Sequence, residues 1–192
     1  MRCTEIKRET KETQIQLQLN LDGSGVFQGS SGIGFFDHML TAFAVHGGFD
    51  LTLTMQGDLN VDGHHSVEDV GIVLGQAFAQ VLDKRQIQRF GSFYVPMDEA
   101  LAFCALDVSG RPYLVFDAAF SNPSVGALDC CLVEEFFRAF AMHSGITLHI
   151  RLEYGSNDHH KIEAIFKAVA HALQQAAALR EGNILSTKGV LE

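Results

Sequence analysis

Asp62-Gly63-His64-His65-Ser66-Val67-Glu68 and Asn157-Asp158-His159-His160-Lys161-Ile162-Glu163 spell one stretch twice, 95 positions apart. Each copy follows a strand-like alternation, Phe49 to Met55 and Ile146 to Leu152. Each precedes a long apolar, helix-like run, Val70 to Leu82 and Ala164 to Leu179. The repeat extends upstream: Ala42-Phe43-Ala44, His46 and Gly48 recur as Ala139-Phe140-Ala141, His143 and Gly145, at an offset of 97. Helix, strand, motif and helix are thus present twice, with two residues of difference in loop length. The economical account is an α+β fold made by internal duplication, with β-sheet/α-helix half-domains at 1–92 and 93–192 related by a pseudo-twofold and helices packed on the sheets.

Outside the repeat, Gln14 to Leu21 alternates polar and apolar and runs into Asp22-Gly23-Ser24-Gly25, which predicts a strand entering a hairpin turn. Glu12, just before it, reads as a solvated charge. Met97 to Val108 and Tyr113 to Ala119 read as strands joined by Ser109-Gly110-Arg111-Pro112, and 183–192 reads as a loop.

At 192 residues and 47% hydrophobic content, the chain can bury a substantial core. Its 14 Lys and Arg against 23 Asp and Glu leave a formal charge of −9, which argues against nucleic acid as a partner while allowing a few cations to hold one small phosphate. No apolar run approaches the roughly 20 residues of a membrane span, and the N-terminus reads as neither signal nor transit peptide, so a cytoplasmic location is expected. Cys3, Cys104, Cys130 and Cys131 lack CxxC spacing and imply no disulfide framework, in keeping with a reducing cytosol.

If each motif opens a helix, His64 and Glu68 share a face as i and i+4, and so do His159 and Glu163, while His65 and His160 are turned about 100° away. Two copies facing each other then suggest a crossed pairing: His64 and Glu68 with His160 on one ion, His159 and Glu163 with His65 on the other. His38 and its repeat counterpart Glu135 add a fourth donor to each. Imidazole and carboxylate donors without thiolate, with positions left open, suit catalytic Mn²⁺, Fe²⁺ or Co²⁺ better than a closed Zn²⁺ site. His46 and His143 read as helix ends or outer supports, His149 and His171 as structural, and Asp69 as orienting a ligand.

In Phe35-Phe36-Asp37-His38-Met39-Leu40, the two His-His stretches, Arg89-Phe90-Gly91, Pro96-Met97-Asp98-Glu99-Ala100, Ser109-Gly110-Arg111-Pro112, Phe166-Lys167-Ala168 and Ser186-Thr187-Lys188-Gly189, the chain resembles the imidazoleglycerol-phosphate dehydratase family of histidine biosynthesis over essentially its whole length. The resemblance implies a fold of the ribosomal protein S5 domain 2-like kind. It also implies two Mn²⁺ per active site, completed between neighbouring subunits, and a homo-oligomer of trimers assembled into a 24-mer. His38, His64, His65, Glu68, His159, His160 and Glu163 match the family's ligand positions. Arg89, Arg111, Ser186 and Lys188, with Lys167 and Thr187 beside them, match those that hold the substrate phosphate, and Glu12 matches a substrate-contacting carboxylate. Glu135 stands where the family normally has His; a carboxylate there adds negative charge and favours a harder ion. The segment Leu82 to Ile87 lacks the family's usual glycines, which implies a locally altered turn.

The implied reaction removes water from imidazole glycerol phosphate to give imidazole acetol phosphate. A metal on the ring nitrogen would let the ring's electrons expel the hydroxyl. Glu163 is the expected acid/base and Glu12 the second candidate, with Arg89, Arg111 and Lys188 fixing the phosphate. The rivals are a two-metal phosphate-ester hydrolase, a homologue weakened by Glu135, and a non-catalytic metal-storage protein, against which the separate Arg/Ser/Lys set speaks.

Overall fold

The computed structural model describes residues 2–181. Its elements are β1 (Cys3–Glu9), β2 (Thr13–Asn20), β3 (Phe27–Ser30), α1 (Gly34–Gly47), β4 (Asp50–Gly57), α2 (His64–Val81), β5 (Phe90–Met97), β6 (Ala100–Asp107), β7 (Tyr113–Asp117), the short β8 (Ser124–Val125) and β9 (Leu128–Asp129), α3 (Cys131–Ser144), β10 (Thr147–Tyr154) and α4 (Asp158–Ala177). Strand order is β1-β2-β4-β3 in one sheet and β5-β6-β10-β7 in the other. In both, the last edge strand is parallel to its neighbour and the other pairs are antiparallel. The duplication seen in the sequence is therefore a duplication of topology.

The same local chemistry makes both copies of each helix. Asp62 and Asn157 each accept a hydrogen bond from the backbone N–H of the first motif histidine, at 2.8 and 2.9 Å, which starts α2 and α4 at the motif. Gly48 and Gly145, both at φ 69°, close α1 and α3 in the left-handed conformation, where a side chain would be strained. α2 packs on the first sheet and on α3, and α4 on the second sheet and on α1. Phe43 and Phe36 of α1, Phe78 of α2, Phe136 and Phe140 of α3 and Phe166 of α4 meet edge-on or stacked in one core that joins all four helices.

Several strand expectations change. Asp22 to Gly25 is not a hairpin turn, because the chain leaves β2 there and returns as β3, parallel to β4. Asp50 secures that crossing by accepting from the N–H groups of Ser24 and Val26 at 2.7 and 3.1 Å. The hairpin lies earlier, between β1 and β2, where Thr10 Oγ1 accepts from Glu12 N and Thr13 N. The stretch from Met97 to Val108 is not one strand: Asp98 and Glu99 turn the chain from β5 into β6. Ser109 to Pro112 does join β6 to β7 as expected, although the two strands are not adjacent in the sheet, since β7 pairs with β10. The two sheet units are linked through 82–89, so a boundary after 92 falls inside β5.

Candidate active site

His159 and Glu163 lie one turn apart on α4, and α1 brings His38 to them. Glu163 Oε2 is 3.3 Å from His38 Nε2 and 3.2 Å from His159 Nε2. The three donor atoms lie within 4.8 Å of one another, the one such group among the described residues. The Phe35 ring packs on His159 with centroids 4.8 Å apart, steadying the imidazole. Lys167, a further turn along, places Nζ 2.6 Å from Glu163 Oε1. Burial pushes the Glu163 carboxyl upward, but Lys167 and His38 outweigh it and hold it below its ordinary value.

The pseudo-equivalent set is looser. His64 Nε2 and Glu68 Oε2 on α2 are 3.7 Å apart, and Glu135 on α3 faces Arg138 at 3.3 Å. The crossed pairing does not form within one chain. His159 and Glu163 take His38 as their third member, whereas His65 and His160 are engaged elsewhere. His65 Nδ1 meets Asp58 Oδ2 at 3.0 Å, and its Nε2 is 3.7 Å from Glu12 Oε1. His160 Nδ1 meets Glu99 Oε2 at 2.7 Å, and its Nε2 is 3.7 Å from Asp98 Oδ2. The 100° turn between adjacent helical residues explains the separation: the first histidine of each pair faces the helix carboxylate, and the second faces a loop. Asp58 and Glu99 each raise the pKa of the histidine they hold, and His160 in turn holds Glu99 well below the usual carboxylate range.

Glu12 is exposed, as a solvated charge would be, and it also stands 3.7 Å from His65. Its turn lines a cavity of about 300 Å³ with Thr10, Lys11, Gln56, Asp58 and Asn60. Arg89 and Arg111 converge on Asp107: Arg89 Nε and Nη2 donate to it at 2.6 and 2.9 Å, and Arg111 Nη2 is 3.8 Å away. Arg89 lies far from the His159 and Glu163 of its own chain. Arg89 N–H donates to Ala176 O, thirteen residues along α4 from Glu163, a separation of about 20 Å at 1.5 Å per residue. Lys167 sits with Glu163 and not with the arginines. Ser186, Thr187 and Lys188, like the whole 183–192 stretch, lie outside the described residues.

Asp69 accepts from Thr13 Oγ1 and pairs with Arg8 at 2.9 Å, so it ties α2 to the β1–β2 hairpin that carries Glu12, and not to a motif histidine. His143 Nδ1 donates to Ala139 O at 2.8 Å, a helix-end role. His46 and His171 meet each other at 3.1 Å between α1 and α4. The residues missed from sequence are Asp58, Asp98 and Glu99. One signal was available for the last, because Glu99 occupies the β5–β6 turn as Glu12 occupies the β1–β2 turn.

A duplicated α+β scaffold that gathers imidazole and carboxylate donors at one end and paired guanidinium groups at the other is of the enzyme class that handles small anionic substrates. The comparisons narrow this. The family model described as imidazoleglycerol-phosphate dehydratase matches residues 31–173. A protein of that name from Acetivibrio thermocellus is 57% identical over 190 residues, covering 97% of each chain. The crystal structure of the Staphylococcus aureus enzyme superposes with a TM-score of 0.84 at 42% identity, over 93% of this chain and 99% of that one. The Pyrococcus furiosus structure gives 0.83 at 37% identity, over 97% and 100%. The chain belongs to the imidazoleglycerol-phosphate dehydratase family.

Proposed function

We propose that the chain is a hydro-lyase of histidine biosynthesis that converts imidazole glycerol phosphate to imidazole acetol phosphate and water, using two Mn²⁺ per active site. The full-length family match carries the reaction, and the His38, His159 and Glu163 group supports the metal. Donors about 2.0–2.2 Å from a shared ion stand about 3 Å apart when adjacent, and the nitrogen-to-oxygen distances of 3.2 and 3.3 Å fit that spacing. His64 and Glu68 of the first half supply the equivalent donors for the second ion, with Glu135 of α3 in the place that His38 takes beside His159. His65 and His160 keep Nε2 clear of the carboxylate that holds Nδ1, each 3.7 Å from a second one, Glu12 and Asp98. Bound ions would supply positive charge to a substrate ring nitrogen and so favour release of the hydroxyl.

The chain's own residues do the rest. Glu163 moves the proton: its Oε2 faces the donor cluster while Lys167 fixes Oε1, so the carboxylate is aimed. Glu12, beside the cavity and His65, is the second candidate. Arg89 and Arg111 bind the phosphate, with Ser186, Thr187 and Lys188 added from the C-terminal stretch, and so set the register of the ring. Since Arg89 is hydrogen-bonded to α4 about 20 Å along the helix from Glu163, the separation supports a site completed by a neighbouring copy, and the family resemblance supports trimers assembled to a 24-mer. No helix among the described residues is long and apolar enough to cross a membrane, which accords with work in the cytoplasm.

The test is turnover by metal-stripped protein with and without Mn²⁺, with bound metal counted in the same samples. Ketone formed only with Mn²⁺, at about two ions per chain, is expected. Full turnover without metal, or release of inorganic phosphate without ketone, overturns the reading.

A further inference from the structure

We infer that Glu99 is a positioning residue whose carboxylate fixes the ring tautomer of His160, leaving Nε2 as the atom free to bind a cation, and that Asp58 does the same for His65. The inference rests on the metal-dependent reading above and adds to it residues outside the repeated motif.

Glu99 has no freedom to turn its oxygens round. Oε1 accepts from Asn157 N at 2.7 Å, from Ser156 N at 3.1 Å and from Ser156 Oγ at 3.2 Å. Three donors saturate that oxygen and anchor the turn to the start of α4. The other oxygen, Oε2, is thereby delivered to His160 Nδ1 at 2.7 Å. A carboxylate can only accept, so Nδ1 must carry the hydrogen and Nε2 of a neutral ring keeps its lone pair. At His65 the same result comes from Asp58, whose two oxygens lie 3.2 and 3.0 Å from Nδ1.

The two carboxylates do not correspond in the repeat. Asp58 follows β4 in the first half, whereas Glu99 sits in the β5–β6 turn of the second. Non-equivalent residues have reached one arrangement at equivalent histidines, which marks an occupied Nδ1 as a requirement and not as a relic of duplication. Outer carboxylates of this kind typically contribute 10- to 100-fold to metal affinity.

The experiment measures Mn²⁺ affinity by titration calorimetry on the full-length protein and on Glu99→Gln, Glu99→Ala and Asp58→Ala, with circular dichroism confirming the fold. In Glu99→Gln the amide oxygen replaces Oε1 against the Ser156 and Asn157 N–H groups. Its NH₂ then faces Nδ1 and favours the tautomer with hydrogen on Nε2. Affinity about 10- to 100-fold weaker is expected for Glu99→Gln, at least as great a loss as in Glu99→Ala, and a comparable loss for Asp58→Ala, which leaves Nδ1 of His65 without its acceptor. Glu99→Gln binding Mn²⁺ as the parent does, or better than Glu99→Ala, overturns the inference, because a residue that merely holds the turn is served well by Gln. If a Glu99 variant fails to fold, Asp58→Ala decides by the same measure, and Mn²⁺ affinity equal to the parent's overturns the inference. A parent protein that binds no Mn²⁺ refutes the metal-dependent reading instead.

Discussion

Lys167 Nζ lies 2.6 Å from Glu163 Oε1, while Oε2 of the same carboxylate faces His38 and His159 at 3.3 and 3.2 Å. One oxygen is held by a cation of its own helix and the other is turned to the donor cluster, so ligand geometry and proton transfer depend on one side chain. Glu163→Gln keeps the shape and removes the charge. Turnover is expected to fall by about 10²- to 10⁴-fold, the usual contribution of a positioned acid/base group. The variant is measured at saturating Mn²⁺ with its metal content determined; normal turnover with metal bound would end the acid/base assignment.

Lys167→Met removes the partner without touching the carboxylate. Glu163 Oε1 then loses a charge-assisted contact and its aim, and kcat is expected to fall about 10- to 100-fold, with Lys167→Arg recovering part of the loss. If Lys167 served the phosphate alone, KM would rise while kcat held, and steady-state kinetics separates the two.

The elements legible in the sequence are those the repeat writes twice: α1 with α3, α2 with α4, the strands before each motif, and the glycines that end α1 and α3. β1 and β5 were not legible because both are edge strands. Lys7, Arg8 and Glu9 mask the alternation of one, and Gly91 and Pro96 interrupt the other, substitutions an edge tolerates. The β1–β2 turn carries no glycine, its hydrogen bonds coming from Thr10 Oγ1, so the Gly-rich Asp22 to Gly25 drew the hairpin reading instead. At the site, motif spacing gives the angular phase of His64, His65 and Glu68 on a helix. It does not say which helix packs opposite, and so it could not put His38, rather than His65, beside His159. Asp58 is supplied by a loop with no motif of its own, and Glu99 by a stretch, Pro96 to Ala100, whose family likeness carries no stated role.

The two arginines on Asp107 are expected to behave differently. Arg89 is buried, and Ala in its place leaves the half-buried Asp107 carboxylate short of a bidentate partner. A loss of about 1–3 kcal/mol of stability is expected, read from denaturant unfolding. The Arg111 side chain is 57% exposed and only 3.8 Å from Asp107, so Arg111→Ala should change stability by under about 0.5 kcal/mol. Its effect should appear in KM.

Asp158 and Lys161 form a buried pair at 2.8 Å, and Asp158 also accepts from Ser121 N and Asn122 N, pinning that loop to the start of α4. Burial alone would raise Asp158, but Lys161 and the two N–H groups prevail and hold its pKa at about 2. The unfolded side chain titrates near 3.9, so in acid the unfolded state binds the proton first and the native state loses ground. The Asp158 contribution is therefore present above about pH 4 and is lost as pH falls toward 2, a change of about 2–3 kcal/mol. Urea unfolding from pH 6 to pH 2 should show Asp158→Asn well below the parent at pH 6, with the gap narrowing by that amount in acid. A gap that does not change with pH would show that Asp158 acts by shape alone.

Gly71 and Gly75 lie on the face of α2 that packs on α3, and an added Cβ would stand 2.6 Å from Phe136 O and 2.7 Å from Phe140 O. Glycine inside a helix ordinarily costs about 1 kcal/mol relative to Ala, so Gly→Ala would stabilise an exposed helix. Here the obstructing atoms are helix backbone, which cannot swing aside, and the helices would have to separate. Gly71→Ala and Gly75→Ala are each expected to destabilise by about 1–3 kcal/mol. Gly34, at the start of α1, has nothing within 4 Å of the same added atom. Gly34→Ala should be neutral or gain up to about 1 kcal/mol, so opposite signs at Gly71 and Gly34 in thermal or denaturant unfolding would separate close helix approach from helix propensity. Loss of stability at α2 should also weaken the site, because α2 carries His64, His65 and Glu68 on the turn that the α2–α3 contact supports.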